Sequence, residues 1–376
     1  MSNAYTGGMS FSVGSYGNID NESDYMPILT VRGKALTPKV DRMMDLLGEI
    51  INHTLFTDTK RLKELLLQEK SEWDMTAFSR GHDLVMTRLA SYFSKQGEFS
   101  EQAGLSYYYF LTNLVHNFDD DYEILQERLT DVSRKIFTRK NLFFETIGEA
   151  EEKKAVTDTL SFITDDLPEG KLPEYRRLSF LPKFINEAFM TSGKVQYVAK
   201  GGNFKVHGFT YSGALAVMET ILRYEYLWKK VRVLGGAYGA FTRFLRNGNS
   251  ELCSYRDPNL AETICVYKEL PEYLENLVLS EREMTKYVIG TMAASEIQLT
   301  PFMKGERAMT HYLTGNTRES RLKIRNEIID CTVQDIRNLA PLVRSVMEDS
   351  YLCVMGSEEK IRKDKELFNI VQSMPD

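Results

Sequence analysis

Aligned against itself, the 376-residue sequence matches at one constant offset of 224 positions. Arg32 falls on Arg256, Leu36 on Leu260, Leu55 on Leu279, Phe78 on Phe302, Gly81 on Gly305 and Leu89 on Leu313. A duplication of this length constrains the fold more than any local signal, because both copies must supply the same elements in the same order. The order reads as a strand ending at the arginine, a loop, an amphipathic helix, a short break and two further helices. With a gap of four residues, Gly7-Gly8-Met9-Ser10-Phe11 becomes the counterpart of Gly235-Gly236-Ala237-Tyr238-Gly239. Phe143-Phe144-Glu145-Thr146-Ile147-Gly148 likewise resembles Tyr351-Leu352-Cys353-Val354-Met355-Gly356. Each copy is therefore expected to close with a strand, a glycine turn and a charged helix.

Local signals support this order. Thr37-Pro38 reads as a helix N-cap followed by proline at the first helical position, and Val40, Met43, Met44, Leu47, Ile50 and Ile51 then recur at helical spacing. Met9, Phe11 and Val13 alternate with Ser10, Ser12 and Gly14, the pattern of a strand with one buried face. Tyr107-Tyr108-Tyr109-Phe110 with Leu111, Leu114 and Val115 reads as helix core rather than as a binding platform. The second copy has a longer approach to its glycine pair: a strand pair over 188–206, a helix from about 211 to 228, and Arg232 to Tyr238 on a strand. The first copy has almost nothing before its glycines. The sequence thus predicts a truncated first unit (1–165) lacking its opening strands and helix, a proline-dense linker (166–183) and a complete second unit (184–376). An open sheet edge and membership of a longer protein follow as expectations. Met1-Ser2-Asn3-Ala4 reads equally as native sequence or as an expression scar.

The 43% hydrophobic content suffices for two cores. A formal charge of −6 argues against nucleic acid as the main partner, and Arg318, Arg321, Lys323 and Arg325 read as one solvated helix face. Cys253, Cys265, Cys331 and Cys353 lack ligand spacing and are expected as buried free thiols. No apolar run is long enough to span a membrane and no signal-peptide layout opens the chain, so a cytoplasmic location is expected, with no membrane partner.

Hydrolytic zinc sites need two histidines one helical turn apart with a carboxylate, and His53, His82, His116, His207 and His311 all lack such a neighbour. No metal ligand is assigned to this chain. Gly33-Lys34 is followed by alanine where a phosphate-binding loop needs a hydroxyl, and no Gly-x-Ser-x-Gly elbow occurs. What remains is Arg232 and Tyr238, six apart around Gly235 and Gly236. Arginine and tyrosine are suited to gripping a peptide carbonyl or an oxyanion, and glycine admits close backbone approach. Spacing alone is equally compatible with an exposed strand arginine and a tyrosine packed at a sheet edge.

Val231-Arg232-Val233-x-Gly235-Gly236-Ala237-Tyr238-Gly239, followed by Ser254-Tyr255-Arg256-Asp257-Pro258-Asn259-Leu260, resembles the C-terminal half of presequence-protease-like metallopeptidases of the insulinase/pitrilysin superfamily. Thr6-Gly7-Gly8-Met9-Ser10 and Val31-Arg32-Gly33-Lys34 extend the likeness over nearly the whole chain. The resemblance implies an α+β fold of two insulinase-type α/β-roll units, an antiparallel sheet packed with helices, corresponding to an incomplete third and a complete fourth unit. It implies that zinc and its inverted His-x-x-Glu-His motif lie in an N-terminal half not contained in this chain, so the chain alone is expected to be inert. It further implies that Arg232 holds a substrate carbonyl, that Tyr238 stabilises the oxyanion, and that Gly235 and Gly236 line the substrate. The implied partners are that catalytic half, or a separate catalytic subunit, and unstructured peptides. A non-catalytic insulinase-like scaffold subunit is the alternative.

Overall fold

The computed structural model describes residues 5–19, 21, 24–171, 180–349 and 351–375. The tetrapeptide at the start and part of the expected linker, 172–179, lie outside the described residues. The first unit opens with an antiparallel hairpin, β1 (Met9–Gly17) and β2 (Tyr25–Gly33), in which Ser10 faces Arg32 and Met9 faces Gly33. Helix Val40–His53 lays Met43, Met44, Leu47 and Ile51 against it, closing a small core with Ile163 and Leu167. Helices Thr59–Ser79, Gly81–Phe93, Leu105–His116 and Phe118–Ile136 follow.

The second unit is built on a six-stranded sheet ordered β5-β6-β4-β7-β3-β8. Its strands are β3 (Asn186–Thr191), β4 (Gln196–Asn203), β5 (Gly239–Phe244), β6 (Asn249–Asp257), β7 (Leu352–Ser357) and β8 (Ile370–Ser373). Pairing is antiparallel from β5 to β7, as expected, and parallel where β3 meets β7 and β8. Alternation along β4 divides the core. Val198 points to one face, toward helices Gly213–Ile221 and Ala340–Glu348, while Tyr197 and Ala199 point to the other. That other face is covered by the first unit: Leu84, Val85, Leu89 and Tyr92 of Gly81–Phe93 pack on Phe189, Tyr197, Ala199, Cys253, Cys353 and Met355. The sheet therefore carries helices on both faces, one layer from each half of the duplication.

The exchange is reciprocal, which supports the repeat in three dimensions. A side chain at Gly81 would strike the Tyr197 ring at 2.6 Å and Met355 at 2.7 Å. A side chain at Gly305, the equivalent position on helix Pro301–Leu313, would strike Ile147, itself the counterpart of Met355. Each unit thus presents a glycine to the other.

Several local expectations are corrected. Residues 143–148 form no strand, because the two-stranded β1–β2 sheet offers them no ladder among the described residues; Ile147 packs on the opposing helix instead. β1 is a strand, but Phe11 and Val13 are 46% and 60% exposed, so its expected buried face is open. Thr37-Pro38 forms a short 3₁₀ turn ahead of the helix, and the Thr37 hydroxyl bonds Glu152 rather than capping. Cys265 is exposed, whereas the other three cysteines are buried free thiols. Tyr108 is buried, in keeping with helix core, while Phe110 faces outward. Among the described residues no helix is long and apolar enough to cross a membrane.

Candidate functional site

Arg232 is not on a strand. Helix Gly213–Ile221 runs on without a break as a π-helix, Leu222–Leu234, and places Arg232 in its last turn. Leu222, Tyr226, Leu227 and Val231 anchor this stretch in the core, which leaves Trp228 and Arg232 on its outer side. The Arg232 guanidinium lies 4.0 Å above the centroid of the Trp228 ring, a cation–π pair four residues apart. Widened helical turns of this kind often mark functional positions.

Gly235 and Gly236 are the turn that ends the helix, not part of a strand. The Gly235 amide donates to the Lys230 carbonyl at 3.1 Å, that of Gly236 to Arg232 at 3.0 Å, and that of Ala237 to Val231 at 3.1 Å, so the last carbonyls are satisfied. Gly236 has φ +81, which a side chain would strain, and a Cβ at Gly235 would sit 2.6 Å from the Val231 carbonyl oxygen. Asn259 Nδ2 donates to the Gly235 carbonyl at 2.5 Å. The buried Asp257 carboxylate holds Asn259 in turn, accepting its amide at 2.9 Å and the Thr263 hydroxyl at 2.7 Å. Burial raises the pKa of Asp257 above the ordinary carboxylate value, opposed by these bonds.

The turn delivers Tyr238 to the start of β5, where its amide donates to the Tyr255 carbonyl at 3.0 Å. Its side chain is 67% exposed, and its ring stands edge-on to Tyr255 at 5.6 Å. The Arg232 guanidinium lies 5.9 Å from the Tyr238 ring centroid. The four residues singled out from the sequence are therefore brought together: Gly235 and Gly236 make one rigid turn with Arg232 on its near side and Tyr238 on its far side. Both side chains present hydrogen-bond donors to the surface.

Three neighbours escape sequence reasoning. Trp228 is hidden because the sequence predicts a helix that stops there; carried on to Leu234, the helix aligns Trp228 with Arg232 at the i,i+4 spacing. Tyr255 supports Tyr238, and its own ring meets His82 of the first unit at 4.7 Å and Tyr197 at 5.8 Å. His82 is held among aromatic rings with a buried Nδ1 that has no partner among the described residues, and burial lowers its pKa. Arg256 is the third, and it alone among the described non-glycine residues has positive φ, +47.

Among the described residues no group of three or more His, Cys, Asp or Glu is placed to hold a metal ion. His207 is engaged with Asp349 at 2.9 Å, His53 with Asp166 at 3.3 Å, and His82 is ringed by aromatics. These residues do not fit a catalytic metal.

A family model described as the PreP C-terminal domain matches residues 186–358, and a second, described as a region associated with subfamily C of the M16 peptidases, matches residues 1–114. Protein HypA of Clostridium perfringens is 37% identical over 373 residues, 99% of this chain and 38% of that protein. Presequence protease 1 of Arabidopsis thaliana, chloroplastic/mitochondrial, is 28% identical over 345 residues, 89% of this chain and 31% of that protein. The chain thus spans less than two fifths of these relatives' length. Among solved structures, a peptidase M16 inactive domain from Pseudomonas fluorescens superposes with a TM-score of 0.55 at 13% identity, covering 93% of this chain and 81% of that one. Pitrilysin superposes at 0.51 and 12%, covering 93% and 35%. At such identities the solved structures speak for the fold alone. Two consecutive family matches and relatives aligned along almost the whole chain place this protein in the presequence-protease-like group of the insulinase/pitrilysin superfamily, where it corresponds to the C-terminal modules.

Proposed function

We propose that this chain is the C-terminal, non-metal-binding half of a metalloendopeptidase that degrades unstructured peptides in a closed chamber. The observation that carries the reading is the turn at Gly235-Gly236, which fixes an outward-facing arginine and an outward-facing tyrosine next to each other on a rigid element. In this reading the Arg232 guanidinium donates to a substrate backbone carbonyl and orients the peptide. The Tyr238 hydroxyl donates to the oxygen that gains charge as the scissile carbonyl becomes tetrahedral. Its ring, braced edge-on against Tyr255, keeps that hydroxyl in place before the charge develops. The ligands of the family's metal belong to an N-terminal catalytic half, in the same protein or in a separate subunit, and no step assigned to this chain runs through a metal.

The test uses the protein that carries both halves, with an unstructured peptide of some tens of residues as substrate. Tyr238→Phe is expected to lower kcat by about 10²-fold or more with KM little changed, as for loss of one oxyanion donor. Arg232→Ala is expected to raise KM as well. Wild-type turnover in both folded variants would leave the pair structural. The isolated chain with added zinc is expected to leave the same peptide intact, and zinc-dependent cleavage by it would overturn the assignment to a non-metal-binding half.

A further inference from the structure

The repeat supplies an internal comparison for Arg256. Its counterpart Arg32 is neutralised: the guanidinium pairs with Glu306 and lies 5.9 Å from the Phe302 ring centroid, both on the opposing unit's helix. The position equivalent to Phe302 is Phe78, and that equivalent to Glu306 is His82. Arg256 therefore meets the same kind of aromatic neighbour but finds no carboxylate where Arg32 has one, and it forms no ion pair among the described residues. Its polar neighbour is the Tyr197 hydroxyl, which brings no charge to offset the guanidinium. The adjacent Asp257 is already committed to Asn259 and Thr263.

The backbone departs from its regular course to achieve this placement. Along β6, Cys253 and Tyr255 face the helix Gly81–Phe93, so regular alternation would send residue 256 to the opposite side. At φ +47 the chain leaves that alternation, and the Arg256 side chain turns back to the face of Tyr197 and Tyr255, its Cζ 5.5 Å from the Tyr255 ring centroid. Left-handed backbone is unfavourable for an L-residue that carries a Cβ, and such strain is maintained where it serves a site. The redirected guanidinium lines a recess of about 250 Å³ whose other walls include Phe78, Thr191, Val195, Tyr197 and Met355. Phe78 and Val195 come from different units, and Tyr197 is fixed by its hydroxyl donating to the Phe78 carbonyl at 2.7 Å. Across the Tyr255 ring from this recess stands Tyr238.

We infer that this recess is a subsite for a peptide carboxylate, held by the Arg256 guanidinium against an apolar wall, one tyrosine ring away from Tyr238. The inference rests on the peptide-contacting reading of Arg232 and Tyr238. The carboxylate comes either from an acidic side chain or from the peptide's C-terminus, and the same chemistry receives both.

The experiment measures fluorescence anisotropy of the purified chain with three labelled unstructured peptides of one length: one with an internal glutamate and an amidated end, one with glutamine and a free C-terminus, and one with glutamine and an amidated end. At least one carboxylate peptide is expected to bind about tenfold more tightly than the carboxylate-free peptide, the scale of a charge-assisted bond. Whichever carboxylate peptide shows the gain identifies the source. Arg256→Gln, and independently Val195→Trp, which fills the recess without touching the arginine, are each expected to erase the preference. His82→Glu, which copies the Arg32–Glu306 arrangement, is expected to do the same. Equal binding of all three peptides, or a preference that survives both Arg256→Gln and Val195→Trp, would overturn the subsite. Equal binding that is nevertheless weakened by Arg232→Ala would leave the peptide-contacting reading standing, whereas no binding of any peptide at millimolar concentration would overturn both.

Discussion

The reciprocal packing of the two units rests on a buried charge network whose removal has a calculable cost. Arg88, on helix Gly81–Phe93, reaches β3 of the second unit: Nε is 2.7 Å and Nη2 3.2 Å from the two oxygens of Glu187, and Nη1 is 3.3 Å from Glu101 Oε1. Glu187 and Glu101 are only 1% and 2% exposed. Tyr92 donates to Glu187 at 2.6 Å, Gln372 at 2.9 Å, and the Ser106 amide to Glu101 at 3.1 Å. Arg88→Met keeps the packing of the stem but leaves two carboxylates buried without their cation, which costs about 3–5 kcal/mol. For a chain of this size that corresponds to about 5 °C in Tm. Burial already raises the Glu101 pKa, so the sign is fixed: the deficit of the variant grows as pH rises through its carboxylate titration and shrinks in acid, where the group takes up a proton. Urea unfolding and calorimetry of the isolated chain measure both quantities. Arg88→Met combined with Glu187→Gln and Glu101→Gln is expected to recover most of the loss, because neutral replacements remove the uncompensated charge. A loss below about 1 kcal/mol for Arg88→Met, the value of an exposed pair, would refute the placement of this network between helix and sheet.

Three further outcomes follow from the site. Trp228→Leu, in the protein carrying both halves, should release the Arg232 guanidinium from its ring and cost about 0.5–1 kcal/mol, a two- to fivefold rise in KM for peptide; an unchanged KM would remove Trp228 from the site. Gly236→Ala should destabilise the chain by about 1–2 kcal/mol in urea unfolding, because alanine must adopt φ +81, while Ala237→Gly in the same turn provides a reference without that strain. Glu219, which accepts the Phe244 amide and ties the helix before Arg232 to the strand after Tyr238, has its pKa pushed up to about 7 by burial. A folded-state pKa above the unfolded one means that stability is full in acid and lost as pH rises to 7, so Glu219→Gln should flatten the slope between about pH 4.5 and 7, worth about 2 kcal/mol after solvent screening.

The repeat, the position of the glycine turn and the grouping of Arg232 with Tyr238 are legible in the sequence because they depend on residue identity at fixed spacing. Gly8 and Gly236, aligned from sequence alone, both have positive φ, +124 and +81. What is illegible depends on partners distant in the chain. Phe143 to Gly148 has the composition of its counterpart strand, but strand formation requires a neighbouring ladder, which Tyr351 to Gly356 finds between β4 and β3 and residues 143–148 do not. Phe11 and Val13 carry the alternation of a buried face that nothing covers among the described residues. The extension of the helix to Leu234 escapes a periodicity argument because its apolar anchors, Leu222, Tyr226, Leu227 and Val231, follow the wider spacing of a π-helix rather than 3.6. The turning of Arg256 has no signal at all, since no residue type announces left-handed backbone in an arginine.

The two copies differ least in what packs them and most in what they expose. The positions that press one unit on the other remain glycine against an aliphatic side chain, Gly81 on Met355 and Gly305 on Ile147, because a side chain there would meet atoms within 2.7 Å. The positions at the sheet margin carry no such restriction. There Ser10 stands opposite Arg32 in the first copy, whereas Tyr238 donates its amide beside Arg256 in the second, and Glu306 quenches Arg32 whereas His82 leaves the charge of Arg256 uncompensated. Neutralising an arginine stabilises a surface slightly; leaving it open beside an exposed tyrosine and a second arginine does nothing for folding that packing explains. Divergence that preserves the packing contacts while concentrating cationic and hydroxyl donors on one margin is what a duplicated scaffold acquires when only one copy faces substrate.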